Sequence, residues 1–168
     1  MLSVVVIAKN EALNLPRCLA SVARVAEEVV VVDSGSTDAT KSIAEAHGAR
    51  VFDRAFTTYA DQKNWAASQA LQPFVLSLDA DEALGEELLE ELLQWKASTP
   101  MSQQGAWSMP RLTNYCGAWV RHGGWYPDRK IRLWSKGAGM WSTPQEGGML
   151  HERWVPNGGV EILSLIHI

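Results

Sequence analysis

The sequence predicts an α/β protein in which a mostly parallel sheet is flanked by helices on both faces. Short apolar runs rich in β-branched residues alternate with helical segments four times within the first part of the 168 residues. The runs are continuously apolar, which is typical of parallel strands that are buried on both faces. Several of them end abruptly in polar residues, and in such sheets ligands bind beyond the carboxyl ends of the strands.

The predicted elements follow one another in a regular order. Strands are expected at residues 4–7, 28–32, 49–52 and 74–78. Helices are expected at residues 15–22, 37–47, 61–71 and 84–95. Pro16 favours the start of the first helix, Thr37 or Ser36 can cap the second, and Gly48 can end it. Pro73 separates the third helix from the fourth strand.

The character of the sequence changes after Pro100. Helical patterns stop, glycines are frequent, and residues 131–134 alternate like a strand. Six of the eight tryptophans lie in this part, and each, taken singly, is expected to belong to the core: Trp107, Trp119, Trp125, Trp134, Trp141 and Trp154. We therefore expect the second part to extend the same sheet rather than to fold alone.

Composition and charge limit the class of protein. With 46% hydrophobic and 20% charged residues, the chain can form a core and lacks the signature of disorder. Its net charge of -4 argues against a nucleic-acid partner. Cys18 and Cys116 are too few for a disulfide framework, and Cys18 has the spacing of a buried helical residue. The first apolar run is far shorter than the roughly 20 residues of a spanning helix, so a cytoplasmic protein is expected.

A pair of carboxylates follows the fourth predicted strand. Asp79 and Asp81 stand two positions apart, directly after the apolar residues 74–78. Both can reach one hard divalent cation, Mg²⁺ or Mn²⁺, which prefers oxygen ligands and shares them with bound phosphates. The alternative is a solvated acidic turn that caps the following helix.

Polar residues also follow the first two strands. Residues 33–38 read Asp-Ser-Gly-Ser-Thr-Asp, so that a tight turn offers hydroxyl and carboxylate groups to a nucleoside. An ordinary loop with a helix cap explains the same residues equally well. Asn10 and Glu11 follow the first strand and are uninformative when taken alone.

Together these segments resemble the fingerprint of family 2 glycosyltransferases. The matching segments are residues 4–11, 31–38 and 78–82, and the run Gln62, Lys63, Asn64 resembles the family's link between the second and the third. Residues 124–134 and 150–152 are similar to a subgroup that includes lipopolysaccharide core β-1,4-glucosyltransferases of Gram-negative bacteria. The resemblance extends to Ile162, and members of the subgroup are longer, so a truncated C-terminus is expected.

The resemblance implies a GT-A fold, which is a Rossmann-like, mostly parallel sheet, here with a Trp- and Gly-rich extension on the acceptor side. It also implies inverting transfer of a hexose, with glucose favoured, from a nucleotide diphosphate sugar that we expect to be a UDP-sugar. Asp81 and Asp79 are the implied ligands of a divalent metal, which would neutralise the charge that develops on the leaving diphosphate. The implied donor-binding residues are Ala8, Asn10, Glu11, Asp33, Ser34, Gly35, Asp38, Lys63, Asp79 and Ala80.

Inverting transfer also requires a general base that deprotonates the attacking sugar hydroxyl. Glu152 is the first candidate by its position, and Asp128 is the reserve. The alternative for Glu152 is an exposed surface carboxylate. His151 could orient Glu152, lie near the diphosphate or be purely structural.

A basic cluster of Arg129, Lys130 and Arg132 lies among aromatic residues. It could hold a phosphorylated lipid-linked acceptor, the donor diphosphate or an anionic membrane surface, and it could also be the solvated flank of core tryptophans. The resemblance implies a saccharide or lipid-linked acceptor in lipopolysaccharide core synthesis. Peripheral contact with the inner face of the bacterial inner membrane is compatible with that acceptor.

Residues 1–99 are expected to bind the donor, and residues 100–162 to form the acceptor-side and catalytic half of the same domain. Residues 163–168 are expected to be a non-native tail, because a common sequencing adapter encodes the same hexapeptide.

Other enzyme classes fit the sequence less well. A phosphatase of the haloacid dehalogenase type would carry its Asp-x-Asp motif after the first strand, and a sugar nucleotidyltransferase would need a glycine-rich basic loop near the N-terminus. A dinucleotide oxidoreductase would need Gly-x-Gly-x-x-Gly, which does not occur. A catalytically inert fragment that binds a nucleotide sugar is the remaining alternative.

Overall fold

The computed structural model describes residues 1–143 and 152–164 and has a seven-stranded sheet at its centre. The strands are β1 (Leu2–Ala8), β2 (Glu28–Asp33), β3 (Arg50–Asp53), β4 (Phe74–Asp79), β5 (Ala106–Arg111), β6 (Thr113–Tyr115), β7 (Ala118–Val120), β8 (Asp128–Ser135), β9 (Gly139–Ser142), β10 (Arg153–Pro156) and β11 (Ile162–Ser164). The helices are α1 (Leu15–Val22), α2 (Thr40–Ala46), α3 (Tyr59–Ser68) and α4 (Glu86–Ser98), with a short 3₁₀ turn at Gly123–Trp125.

The order of strands in the central sheet is β11-β5-β8-β4-β1-β2-β3. The pairs β1–β2, β1–β4 and β2–β3 are parallel, whereas β8 runs antiparallel between β4 and β5. The first three crossovers each contain one helix, as parallel neighbours require. The predicted α/β fold with a mostly parallel sheet is therefore confirmed, and the second part of the chain extends this sheet through β5 and β8. β11 adds a further strand, which includes Leu163 and Ser164 of the expected non-native tail.

Both faces of the sheet are covered. α1 and α4 pack on one face, where Val6 of β1 and Leu92 belong to the same apolar cluster. α3 and the β9–β10 pair cover the other face, where Val5 lies in a cluster with Ala66 and Trp141. Neighbouring residues of β1 thus enter two different cores, which is why the run is apolar without alternation.

The register of the parallel strands brings their polar ends to one edge. Ala8 lies opposite Asp33, and Ile7 lies opposite Asp79, on the two sides of β1. Because adjacent strands are about 4.8 Å apart, Asp33 and Asp79 stand roughly 10 Å from each other along this edge.

The start of the second helix differs from the prediction. α2 begins at Thr40, and the residue at its N-cap, Ala39, makes no side-chain cap hydrogen bond. Ser36 and Thr37, which were expected to cap the helix, bond to Asn10 instead. The cap prediction is wrong because these groups join two loops at the sheet edge.

The tryptophans divide into a buried and an exposed set. Four of the second-part tryptophans are core residues as predicted: Trp107, Trp134, Trp141 and Trp154. The prediction is wrong for Trp119 and Trp125, which are 54% and 53% exposed. No helix within residues 1–143 and 152–164 has the length and apolar character needed to cross a bilayer.

Candidate active site

The loops after β1 and β2 are joined by hydrogen bonds at the carboxyl edge of the sheet. Asn10, which has a left-handed backbone with φ of 57°, donates from its amide to Ser36 Oγ at 2.8 Å. Its Oδ1 accepts from the Thr37 amide at 2.8 Å, and the Glu11 amide donates to Thr40 Oγ1 at 2.8 Å. The predicted donor-binding residues Asn10 and Glu11 therefore support the loop that follows β2.

Asp33 lies at the centre of this edge and is fully buried. Its Oδ1 accepts from the amides of Gly35 at 3.0 Å and Ser36 at 2.8 Å, so Gly35, with φ of 85°, completes a tight turn around the carboxylate. Its Oδ2 is also buried and has no hydrogen-bond partner among the described residues. Since buried polar groups are almost always paired, this oxygen is suited to accept an N–H from a ligand.

Other predicted donor-binding residues surround the turn. The Ser34 amide donates to the Ala8 carbonyl at 2.9 Å, and Ser34 Oγ accepts from Gln62 Nε2 at 3.0 Å. Asp38 accepts from the Ala12 amide at 3.1 Å. The ends of β1, β2 and α3 therefore form one connected structure around Asp33.

Lys63 connects α3 to the end of β4 and to the segment before β10. Its side chain is 2% exposed, and its Nζ lies 2.8 Å from Asp79 Oδ1 and 2.6 Å from Glu152 Oε1. The ammonium also lies 4.7 Å from the centre of the Trp141 ring. A lysine is rarely buried without partners, and here two carboxylates and an aromatic face supply them.

The neighbours of Lys63 in the sequence fasten the same region. Gln62 binds Ser34 and accepts from Arg54 Nη1 at 2.7 Å, on the side of β2 and β3. Asn64 exchanges two hydrogen bonds of 2.8 Å with the backbone of Trp141 in β9. Three consecutive residues of α3 therefore hold the loop after β2, the end of β4 and the β9–β10 pair together.

Arg132 forms the second half of the buried charge cluster. Its side chain is 7% exposed, and its Nη2 lies 2.9 Å from Asp79 Oδ2 and 2.5 Å from Glu82 Oε1. Burial would raise the pKa of Asp79, but the charges and hydrogen bonds of Arg132 and Lys63 hold that pKa below its ordinary value. Burial opposes the charge on Arg132, yet Glu82 and Asp79 raise its pKa, so the guanidinium stays charged.

The charges at this end of β4 are closely balanced. Three carboxylates, on Asp79, Glu82 and Glu152, share the cations Lys63 and Arg132. A third cation lies at the edge of the cluster, because Arg111 Nη1 is 4.0 Å from Glu82 Oε1.

Asp81 is exposed, and its carboxylate has no hydrogen bond or ion pair with the described residues. Both carboxylate oxygens of Asp79 are already ion-paired, and Ala80, which stands between Asp79 and Asp81 in the sequence, is buried. No group of three or more His, Cys, Asp or Glu side chains within residues 1–143 and 152–164 could hold a metal ion. The free carboxylate of Asp81 fits a metal that takes most of its ligands from phosphate and water, as Mg²⁺ does.

The two candidate bases have different surroundings. Glu152 has a side chain that is 13% exposed, and it lies against Lys63. Asp128, at the start of β8, lies 2.6 Å from Arg111 Nη2 and 3.0 Å from Lys130 Nζ. Partial burial would raise the pKa of Asp128, but hydrogen bonds from Lys130 and Arg111 lower it. His151, the possible orienting residue for Glu152, lies outside the described residues.

Some members of the cluster are not indicated by sequence patterns alone. Glu82 is the member with a local signal, because it stands three positions after Asp79 and closes a turn in which the Asp79 amide donates to Glu82 Oε2 at 3.1 Å. From the sequence, Arg132 could either bind a ligand together with Arg129 and Lys130 or lie on the solvated flank of core tryptophans, but it is buried against Asp79. The contact of Trp141 with Lys63 joins residues far apart in the chain, and no local signal reveals it.

The fold and this edge define a GT-A glycosyltransferase domain. The fold matches the crystal structure of residues 1–349 of S. aureus TarS with a TM-score of 0.60 and 21% identity, over 80% of this chain and 46% of that one. The TarS structure in complex with UDP matches with a TM-score of 0.57 and 25% identity, over 72% of this chain and 38% of that one. The model of Glycosyl transferase family 2 matches residues 3–106, and the chain belongs to this family.

Two curated relatives of similar sequence are also glycosyltransferases. An uncharacterised glycosyltransferase of Rickettsia felis is 43% identical over 91 residues, which are 54% of this chain and 32% of that protein. The lipopolysaccharide core biosynthesis glycosyltransferase LpsC of Rhizobium meliloti is 32% identical over 95% of this chain and 58% of its own length. The chain thus spans between about a third and three fifths of the length of these relatives.

Proposed function

We propose that the protein forms the donor-binding and catalytic part of an inverting, metal-dependent glycosyltransferase. It would move a hexose, with glucose favoured, from a UDP-sugar to a saccharide or lipid-linked acceptor in lipopolysaccharide core synthesis. The observation that carries the proposal is the Lys63 bridge, which joins Asp79 and Glu152 at the same carboxyl edge of the family 2 sheet that holds Asp33. The relative LpsC, which is named for lipopolysaccharide core biosynthesis, supports the proposed acceptor. The TarS structure in complex with UDP supports UDP as the nucleotide of the donor.

The donor nucleoside would lie against the loop after β2. The unpaired Oδ2 of Asp33 would accept the imide N–H of a uracil ring, because it is the buried acceptor in this loop without a partner among the described residues. Ala8, Asn10, Glu11, Ser34, Gly35 and Asp38 would shape the surrounding loop. Lys63, Asp79 and Ala80 would then lie on the side of the diphosphate.

Asp81 would hold a divalent cation together with the donor diphosphate. A cation in this place supplies neutralisation of the negative charge that develops on the leaving group. Asp79 would act on the same side, with its carboxylate orientation set by Lys63 and Arg132.

Glu152 would be the general base. Lys63 binds its Oε1, whereas its Oε2 makes no hydrogen bond or ion pair with the described residues and can take the proton of the acceptor hydroxyl. Asp128 remains the reserve, but its ion pairs with Arg111 and Lys130 lower its pKa and hence its basicity. Residues 1–99 would thus bind the donor, and residues 100–162 would supply the base and the acceptor side.

The inert fragment is the second candidate, because the chain covers 58% of the length of LpsC. Calorimetric titration with UDP, in the presence and absence of Mn²⁺, followed by an assay of donor hydrolysis, separates the two candidates. Metal-dependent binding with hydrolysis supports the enzyme, and metal-dependent binding without hydrolysis supports the fragment. A folded protein that does not bind UDP contradicts both.

Two substitutions test the assigned residues. Asp81→Asn is expected to abolish the effect of Mn²⁺ on UDP affinity, whereas Glu87→Gln, an exposed acid at the start of α4, should leave it unchanged. Glu152→Gln, placed in a full-length version, should keep donor binding and lose transfer. Transfer by this variant at a rate near that of the wild type would make Asp128 the leading base.

A further inference from the structure

The β6–β7 hairpin lies outside the central sheet, because within residues 1–143 and 152–164 its two strands pair only with each other. Its turn consists of Cys116 and Gly117, both with left-handed backbones, at φ of 50° and 84°. Asn114 Oδ1 accepts from the Gly117 amide at 3.1 Å and fixes the turn. A two-stranded hairpin is marginally stable in water unless something covers it.

Three large aromatic side chains are exposed on and beside this hairpin. Tyr115, Trp119 and Trp125 are 61%, 54% and 53% exposed, and Tyr115 stacks edge-on against Trp125 with ring centres 5.7 Å apart. Trp119 pairs with Asn114 across the hairpin, and Tyr115 pairs with Ala118. Because side chains alternate along a strand, Tyr115 and Trp119 lie on opposite faces.

The segment that contains the hairpin is basic in an otherwise acidic chain. Residues 111–132 contain five basic residues and one acidic residue, a net charge of +4, whereas the whole chain has a net charge of -4. The remaining residues therefore carry a net charge of -8. Arg132 is buried in the active-site cluster, and Arg111 and Lys130 pair with Asp128. Arg121, Arg129 and Lys130 nevertheless have exposed side chains near the base of the hairpin.

We propose that this hairpin docks on the surface of a bilayer that contains anionic lipids. The aromatic rings would lie at the level of the headgroups, and the basic residues would face the lipid phosphates. The headgroup layer can surround both faces of the hairpin and so accommodates Tyr115 and Trp119 together, while its phosphates complement the exposed basic residues. The proposal rests on the proposed function only in that the acceptor would be lipid-linked.

The position of the hairpin relative to the active site agrees with this role. Arg111, at the end of β5, pairs with Asp128 at the start of β8, and its Nη1 lies 4.0 Å from Glu82 in the buried cluster. The hairpin follows Arg111 directly in the chain. A bilayer that binds the hairpin would therefore hold a lipid-linked acceptor next to the charged edge of the sheet.

The hairpin contains its own site for a reporter. Cys116 is exposed at the turn, whereas Cys18, the other cysteine, is buried. A nitrobenzoxadiazole maleimide attached to Cys116 is expected to shift its emission to the blue with vesicles of equal parts phosphatidylglycerol and phosphatidylcholine. Vesicles of phosphatidylcholine alone should produce no shift, and high salt should reverse the binding. Equal binding to both kinds of vesicle, or no shift with either, would overturn the proposal.

Matched variants identify the residues responsible, with co-sedimentation of the unlabelled protein as the measurement. Trp119→Ser with Trp125→Ser, and separately Arg121→Gln with Lys130→Gln, should each reduce partition to the anionic vesicles about tenfold or more. Phe56→Ser with Tyr59→Ser removes a second exposed aromatic pair, 44% and 54% exposed, and should change nothing. Wild-type partition by the tryptophan variant would refute the role of the hairpin.

A UDP titration of the same samples separates this proposal from the proposed function. The tryptophan variant should bind UDP as the wild type does, because neither ring belongs to the donor site. Vesicle binding by a wild-type protein that does not bind UDP would contradict the glycosyltransferase proposal and leave the docking surface supported.

Discussion

Replacement of Lys63 by methionine tests whether the buried ammonium holds the active-site edge together. The side chain is 2% exposed and contacts Asp79 and Glu152 at 2.8 and 2.6 Å. Methionine keeps much of the volume and the contact with Trp141, but it leaves the mostly buried Glu152 without its cation and Asp79 with Arg132 alone. Removal of one partner from a buried ion pair costs about 3–5 kcal/mol. Since a domain of this size has a total stability of about 5–15 kcal/mol, the loss should be large.

Urea unfolding, monitored by tryptophan fluorescence, measures this loss in the free energy of unfolding. Lys41→Met is the control, because Lys41 pairs with Asp53 at the surface, with the two side chains 40% and 68% exposed, and its replacement should stay within experimental error. Adding Glu152→Gln to Lys63→Met should recover part of the stability, because one uncompensated charge is then removed. A loss below about 1 kcal/mol for Lys63→Met, or strict additivity in the double variant, would refute the view that Lys63 bridges the two acids.

Two further predictions concern other parts of the chain. Partial burial would raise the pKa of Glu27, but hydrogen bonds from Lys96, the N-terminal ammonium and the Leu2 amide lower it to about 2. The stability from these contacts should be complete above about pH 5 and disappear as the pH falls towards 2. In urea titrations, Glu27→Gln should remove about 1 kcal/mol of this acid dependence. The expected loss is this small because the Glu27 side chain is 37% exposed and solvent weakens the contacts. An acid dependence identical in both proteins would count against those contacts. Burial and, to a smaller extent, the charge of Glu82 raise the pKa of Cys18 to about 12. Ellman's reagent should therefore modify only Cys116 in the native protein. Two fast-reacting thiols would contradict the buried position of Cys18.

Local patterns were sufficient to predict the order of the first eight elements. The strands and helices up to α4 follow from apolar runs and helical spacing, which depend on residues a few positions apart. Parallel strands in such a sheet have their carboxyl ends at a common edge, so the placement of Asp33 and Asp79 on one edge also followed from the pattern. The same reasoning failed for Ser36 and Thr37, because the hydroxyl that can cap a helix can equally bind a neighbouring loop.

The second part of the chain was predicted less completely. Its tryptophans were expected to be core residues, but Trp119 and Trp125 are exposed beside a hairpin that no sequence pattern indicated. The side of the sheet that each tryptophan faces depends on strand pairings between distant segments, such as β9 with β10. Propensity and spacing carry no information about such pairings.

The sequence by itself determined the α/β architecture, the family and the edge at which the acidic residues gather, because all three depend on short segments and their order. Only the tertiary structure decided how charge is balanced at that edge. Lys63 meets Glu152 across 89 positions of the chain, and Arg132 turns inward to Asp79 across 53. Desolvation makes an unpaired buried charge costly, so these partners are selected by the packed interior as a whole, and no local stretch of sequence specifies them.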